Sequence, residues 1–108
     1  MTVKNFAESM GYDVVVMPEP EREITGGYAG DLLSWVMGRL PEGSAWVTIM
    51  SNVNVVAVAT LSDPACVILS EGVSPDDGVV QKADIQGVNI LRTGKDSFSV
   101  CADIRSVL

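Results

Sequence analysis

Gly26-Gly27-Tyr28-Ala29-Gly30 is the first stretch whose residue types invite chemistry, because glycines let a ligand approach the backbone and a following helix would offer its positive end to an anion. The dinucleotide fingerprint is nonetheless broken. Thr25 stands where the first glycine of GxGxxG belongs, and the carboxylate of Asp31 would repel a phosphate. Two readings of these glycines stand, a tight turn and a loop that touches a ligand. Gly94-Lys95-Asp96 resembles the end of a P-loop, but Asn89 occupies the position of its leading glycine and Asp96 replaces the hydroxyl that would hold magnesium. A nucleotide-hydrolysing loop is therefore not expected.

Nucleophilic catalysis needs a base, and the chain has no histidine. Asp76 and Asp77 suit the positive end of a helix, and Glu19, Glu21 and Glu23 read as a solvated approach to a strand. Cys66 lies in an apolar run and Cys101 in a predicted helix, without CxxC spacing, so both are read as reduced core residues. The sequence thus predicts no catalytic residue, no metal site and no cofactor, and an enzyme is the less favoured reading.

The elements that would position a site follow from hydrophobic period. An opening helix is expected over residues 2–10, stopped by Gly11, and a strand over residues 12–17, ended by Pro18 and Pro20. A short strand at Glu23-Ile24-Thr25 leads into the glycine turn, and a helix from Ala29 sets Leu32, Leu33, Val36, Met37 and Leu40 on one arc. Three strands then begin about twenty residues apart, at 45–50, 65–69 and 88–91, each followed by a helix, at 52–61, 75–86 and 97–107. For the middle helix Ser74 is the expected cap, with Pro75 in its first turn and Gly87 past its end.

Successive βα units predict an α/β layered sandwich, a mainly parallel sheet of four to five strands with flanking helices, in one domain spanning residues 1–108. In such a sheet the turns after the strands share one edge, where open α/β sheets bind ligands. That edge gathers Gly27, Tyr28 and Asp31, Ser51, Asn52 and Asn54, Ser70 and Glu71, and Arg92, Thr93 and Lys95. The mix of amides, hydroxyls and cations suits a small polar molecule or nucleotide; capping and turn roles are the alternative.

Seven Lys and Arg against fourteen Asp and Glu leave a formal charge of −7, and the cations are scattered singly. Nucleic acid and anionic membranes are poor partners for such a surface. No run approaches the roughly 18 apolar residues of a membrane span, and the N-terminus lacks a signal-peptide core, so a cytoplasmic location is expected. Hydrophobic residues make up 47% of this short chain, and its mean hydropathy is +0.30, an excess expected to end in a homodimer interface.

Taken in order, Ile24-Thr25-Gly26-Gly27-Tyr28-Ala29-Gly30-Asp31-Leu32-Leu33-Ser34, Trp46-Val47-Thr48-Ile49, Asn54-Val55-Val56-Ala57-Val58-Ala59 and Asp96-Ser97-Phe98 resemble the DRTGG domain family. The resemblance implies a fold similar to the N-terminal domain of HPr kinase/phosphorylase and to the DRTGG domain of phosphotransacetylases, and a setting beside paired CBS domains. It also implies a regulatory or structural role, with short members encoded near iron hydrogenase components. Where many relatives carry a histidine, this chain has Asn52, so no proton-transfer or metal role carries over to that position. The family's Leu-Thr-Gly-Gly stands here as Leu69-Ser70-Glu71-Gly72, with a carboxylate in place of one glycine.

Trp35 falls outside the apolar arc of its helix, beside Arg39, at a position usually polar in that family. Together with Val53 and Val56 on the nearly all-apolar helix at 52–61, it is the expected self-association surface. The expected function is a non-catalytic regulatory or ligand-sensing module that self-associates and binds a small polar ligand or docks a metabolic enzyme, hydrogenase-linked members being the precedent. The alternatives are a small enzyme or phosphotransfer accessory acting in trans, and a structural subunit of a redox complex.

Overall fold

A computed structural model describes residues 1–108. Helix α1 (Val3–Met10) starts on Thr2, whose hydroxyl accepts from the Asn5 amide, and stops at Gly11 in the left-handed region (φ +71°). Strands β1 (Asp13–Val16) and β2 (Gly26–Ala29), helix α2 (Leu33–Arg39), strand β3 (Ser44–Thr48), helix α3 (Val53–Ser62), strand β4 (Cys66–Leu69), helix α4 (Val79–Gln86), strand β5 (Ile90–Arg92) and helix α5 (Ser97–Ser106) follow.

The sheet runs β1-β5-β4-β3-β2. Strands β2 to β5 are parallel and β1 pairs antiparallel with β5. Three crossovers step the same way across the sheet, and a common hand puts their helices α2, α3 and α4 on one face. Helices α1 and α5 cover the other. The pleat divides the core between these faces: Ala45, Val47, Cys66, Ile68 and Leu91 pack toward Phe6 and Ile104, while Trp46, Val67, Leu69 and Ile90 pack toward Val36, Val56 and Ala83.

Helix α3 is apolar nearly all round because it is the middle helix of its layer, flanked by α2 and α4. Val56 is consequently wholly buried and cannot serve an interface, contrary to expectation; Val53 stays exposed.

Three other expectations are corrected. The glycine stretch is not a turn but strand β2, while residues 23–25 contribute only a bridge between Glu23 and Thr2. Gly27 eases packing there, since a Cβ would lie 3.0 Å from Ile104 Cγ2 on α5 and that side chain would have to shift. Helix α2 begins at Leu33, and Leu32 and Met37 point outward rather than into the core. Helix α4 begins at Val79 after Gly78, not at Pro75 under a Ser74 cap. The segment before it is held as an irregular loop instead, because Arg92 donates to the carbonyls of Gly72 and Val73 and Asp76 is tied to Ser51 through both backbone and side chain.

Candidate functional site

The parallel strands do bring the predicted polar residues to one edge. Helix α4 leaves β4 toward one face and α5 leaves β5 toward the other, so a crevice would be expected between these two strand ends. The two turns close it by bonding to each other. The Glu71 amide donates to the Lys95 carbonyl and the Gly72 amide to that of Thr93. A Glu71 carboxylate oxygen accepts the Ser97 amide at 2.8 Å, and the Ser70 and Ser97 hydroxyls lie 2.7 Å apart. Glu71 therefore sits where an anion would meet the start of α5. It holds φ +60°, a left-handed backbone that a glycine adopts without strain.

The other rim residues are also engaged, to different degrees. Arg92 is spent on Gly72, Val73 and Asp13, and the Thr93 hydroxyl accepts the Lys95 amide. Lys95 pairs with Asp103 at 2.8 Å. The Ser51 hydroxyl donates to Asp76. Asn52 caps α3 by accepting the Asn54 amide, the role in which asparagine is among the best residues. Asp31 accepts from the Thr48 hydroxyl and the Ile49 amide, both at 2.9 Å. The Asn54 side chain is exposed at the start of α3, and the Tyr28 ring is half-buried beside Gly30.

Open space lies instead along β2. A hollow of about 430 Å³ is lined by Tyr28, Gly30, Asp31, Leu32, Trp35 and Val36. Trp35 is half-exposed there with the Arg39 guanidinium 3.4 Å from its ring centre, a cation–π stack. On the other face, a groove of about 530 Å³ runs between β2 and α5, lined by Thr25, Gly26, Cys101, Ile104, Arg105 and Leu108 among others. Sequence reading missed this groove; its trace was the i, i+4, i+7 stripe of Cys101, Arg105 and Leu108.

The cysteines are free. Burial pushes the Cys66 thiol up to about 12 and raises that of Cys101 as well, so neither is a thiolate at neutral pH. A second cluster that the sequence hid joins the α1–β1 connection to α5: the Tyr12 hydroxyl donates to Asp103 at 2.7 Å, and Lys95 reaches the same oxygen while lying 5.6 Å from the Tyr12 ring centre. Burial, then the hydrogen bond and charge of Asp103, raise the Tyr12 hydroxyl far above its ordinary range. The hydrogen bonds from Lys95 and Tyr12 lower Asp103.

The DRTGG domain family pattern matches residues 29–107. The chain belongs to the DRTGG domain family. Among solved structures, this DRTGG domain is similar to the CBS and DRTGG domains of the regulatory region of Clostridium perfringens pyrophosphatase, complexed with its activator, diadenosine tetraphosphate. The likeness has a TM-score of 0.71 at 14% identity over 95% of this chain and 45% of the other, which establishes the shared fold. The DRTGG domain thus spans less than half the length of that chain. No curated protein matches the sequence. No helix of the DRTGG domain is long and apolar enough to cross a membrane.

Proposed function

We propose that this DRTGG domain is a non-catalytic regulatory module that binds a small polar ligand of the nucleotide class and associates with a second copy of itself. The observation that carries the reading is the fold shared with a regulatory region whose structure was determined with a dinucleotide activator. The β4–β5 end of the rim is closed by Glu71, so the ligand belongs at the β2–β3 end, where Asp31 of the hollow is bonded to Thr48 and Ile49 at the end of β3, ahead of Asn52 and of Asn54 in the first turn of α3. Tyr28 and Trp35 supply ring faces for a base, and the Asn54 amide supplies directional hydrogen bonds. Arg39, stacked on Trp35, is a cation available to a phosphate, and the Asp31 carboxylate that would oppose one is held by Thr48 and Ile49.

Trp35 also lines the hollow beside the exposed Leu32, an apolar pair that favours association. Ligand and partner therefore share a border, and binding one would bias the other. A metabolic enzyme docking on the same apolar side chains is the second reading.

The test is equilibrium binding of adenine and guanine nucleotides and of diadenosine tetraphosphate to the wild type and to Tyr28→Ala and Asn54→Ala. Saturable binding to the wild type that each variant weakens at least roughly tenfold, the effect of losing about 1.4 kcal/mol, supports the reading. Affinity unchanged in both variants removes the ligand from this end of the rim.

A further inference from the structure

The two sheet edges differ in how they are protected against pairing. Strand β1 has a register irregularity between Val14 and Val16, begins at Asp13 paired with Arg92, and is followed by Pro18-Glu19-Pro20, all devices that blunt an exposed edge. Strand β2 has none of them. From Thr25 to Gly30 it carries no charge and no proline, and a groove flanks it on each sheet face. An unprotected edge is the geometry of strand addition, in which the added strand takes the free backbone groups.

We infer that the self-association proposed above runs through this edge, with β2 of a second copy pairing antiparallel to β2 about a twofold axis, so that two five-stranded sheets become one. The inference rests on that reading and names its surface.

Charge favours a second copy as the occupant. The chain carries −7, so two copies repel unless they meet where carboxylates are few. Asp31 is the one acidic residue lining either groove, and Arg105, lining the α5 groove, makes no ion pair within the chain. Helix α5 starts at the rim and ends toward the beginning of β2, so Arg105 lies at the Thr25 end of the strand. Antiparallel pairing about that axis keeps each sheet face continuous, so the α5 groove with its Arg105 meets the α5 groove of the other copy, and no acidic side chain lines either.

Sedimentation equilibrium of the wild type, Ala29→Lys, Arg105→Glu and Trp35→Glu over a concentration series is the test, with circular dichroism to confirm folding and hydrogen exchange to follow the β2 amides. A dimer is expected for the wild type, with β2 amides whose protection rises with concentration. Ala29→Lys forces an unpaired charge into the pairing and should raise the dissociation constant roughly 100-fold. Arg105→Glu, on an exposed helix position independent of the strand's own folding, should raise it at least roughly tenfold. A monomeric wild type overturns the self-association reading and this inference with it. A dimer that Trp35→Glu dissolves but Ala29→Lys and Arg105→Glu do not, with β2 exchange independent of concentration, overturns the edge alone and leaves self-association standing. Should Ala29→Lys fail to fold, Arg105→Glu and the exchange data decide.

Discussion

Glu71 holds a left-handed backbone and caps α5 with the same side chain. Glycine at that position would relieve about 1 kcal/mol of strain and lose a cap of about the same size. Glu71→Gly is therefore expected to leave the urea midpoint nearly unchanged, whereas Glu71→Ala keeps the strain, loses the cap and should fall by about 1 kcal/mol. Asp103 gives a pH test. Its folded pKa is depressed by Lys95 and Tyr12, so its contribution is present above the unfolded value of about 3.9 and is lost as pH falls below it. Urea unfolding at pH 7 and pH 3 should show a larger loss for the wild type than for Asp103→Asn. Asn52 was legible as a cap because it immediately precedes its helix. Glu71 and Asp103 were not, because their partners Ser97 and Tyr12 lie 26 and 91 residues away.

The elements followed the sequence where apolar period and neighbours agreed. Strands β3 and β4 and helices α3 and α5 fall within two residues of expectation. The parallel α/β sheet was legible from the βα spacing, and its membership is shared with the solved regulatory region. Strand β2 was misread because Gly-Gly signals a turn locally, whereas here Gly27 admits Ile104 of α5 against the sheet. The start of α4 was misread because Ser74-Pro75-Asp76 is a good capping sequence overruled by tertiary bonds to Ser51 and Arg92. Asn89, just ahead of β5, is the strongest such bond set: its amide donates to the carbonyls of Glu19 and Ala65 and its oxygen accepts the Glu19 amide, all from a buried site. It pins the β1 exit to the sheet. Asn89→Ala leaves these groups without partners and should cost about 3 kcal/mol in chemical denaturation, while Asn89→Asp should be at least as damaging, since it buries a charge.

At the scale of the molecule, the polar rim was legible as a list of residues and not as a surface. Nothing in the sequence tells that the turns after β4 and β5 bond to each other and close the expected crevice, or that open space lies along β2 instead. Regulation by a ligand therefore requires that the β2 side of this DRTGG domain receive one. The most direct measurement is the thermal unfolding of the wild-type protein titrated with diadenosine tetraphosphate and with adenine and guanine nucleotides. A ligand at 100 times its dissociation constant adds about 2.7 kcal/mol, so a saturable rise in Tm of several degrees is expected, which Tyr28→Ala and Asn54→Ala diminish. A Tm that does not move with any of these compounds at millimolar concentration would rule out a nucleotide site on the β2 side.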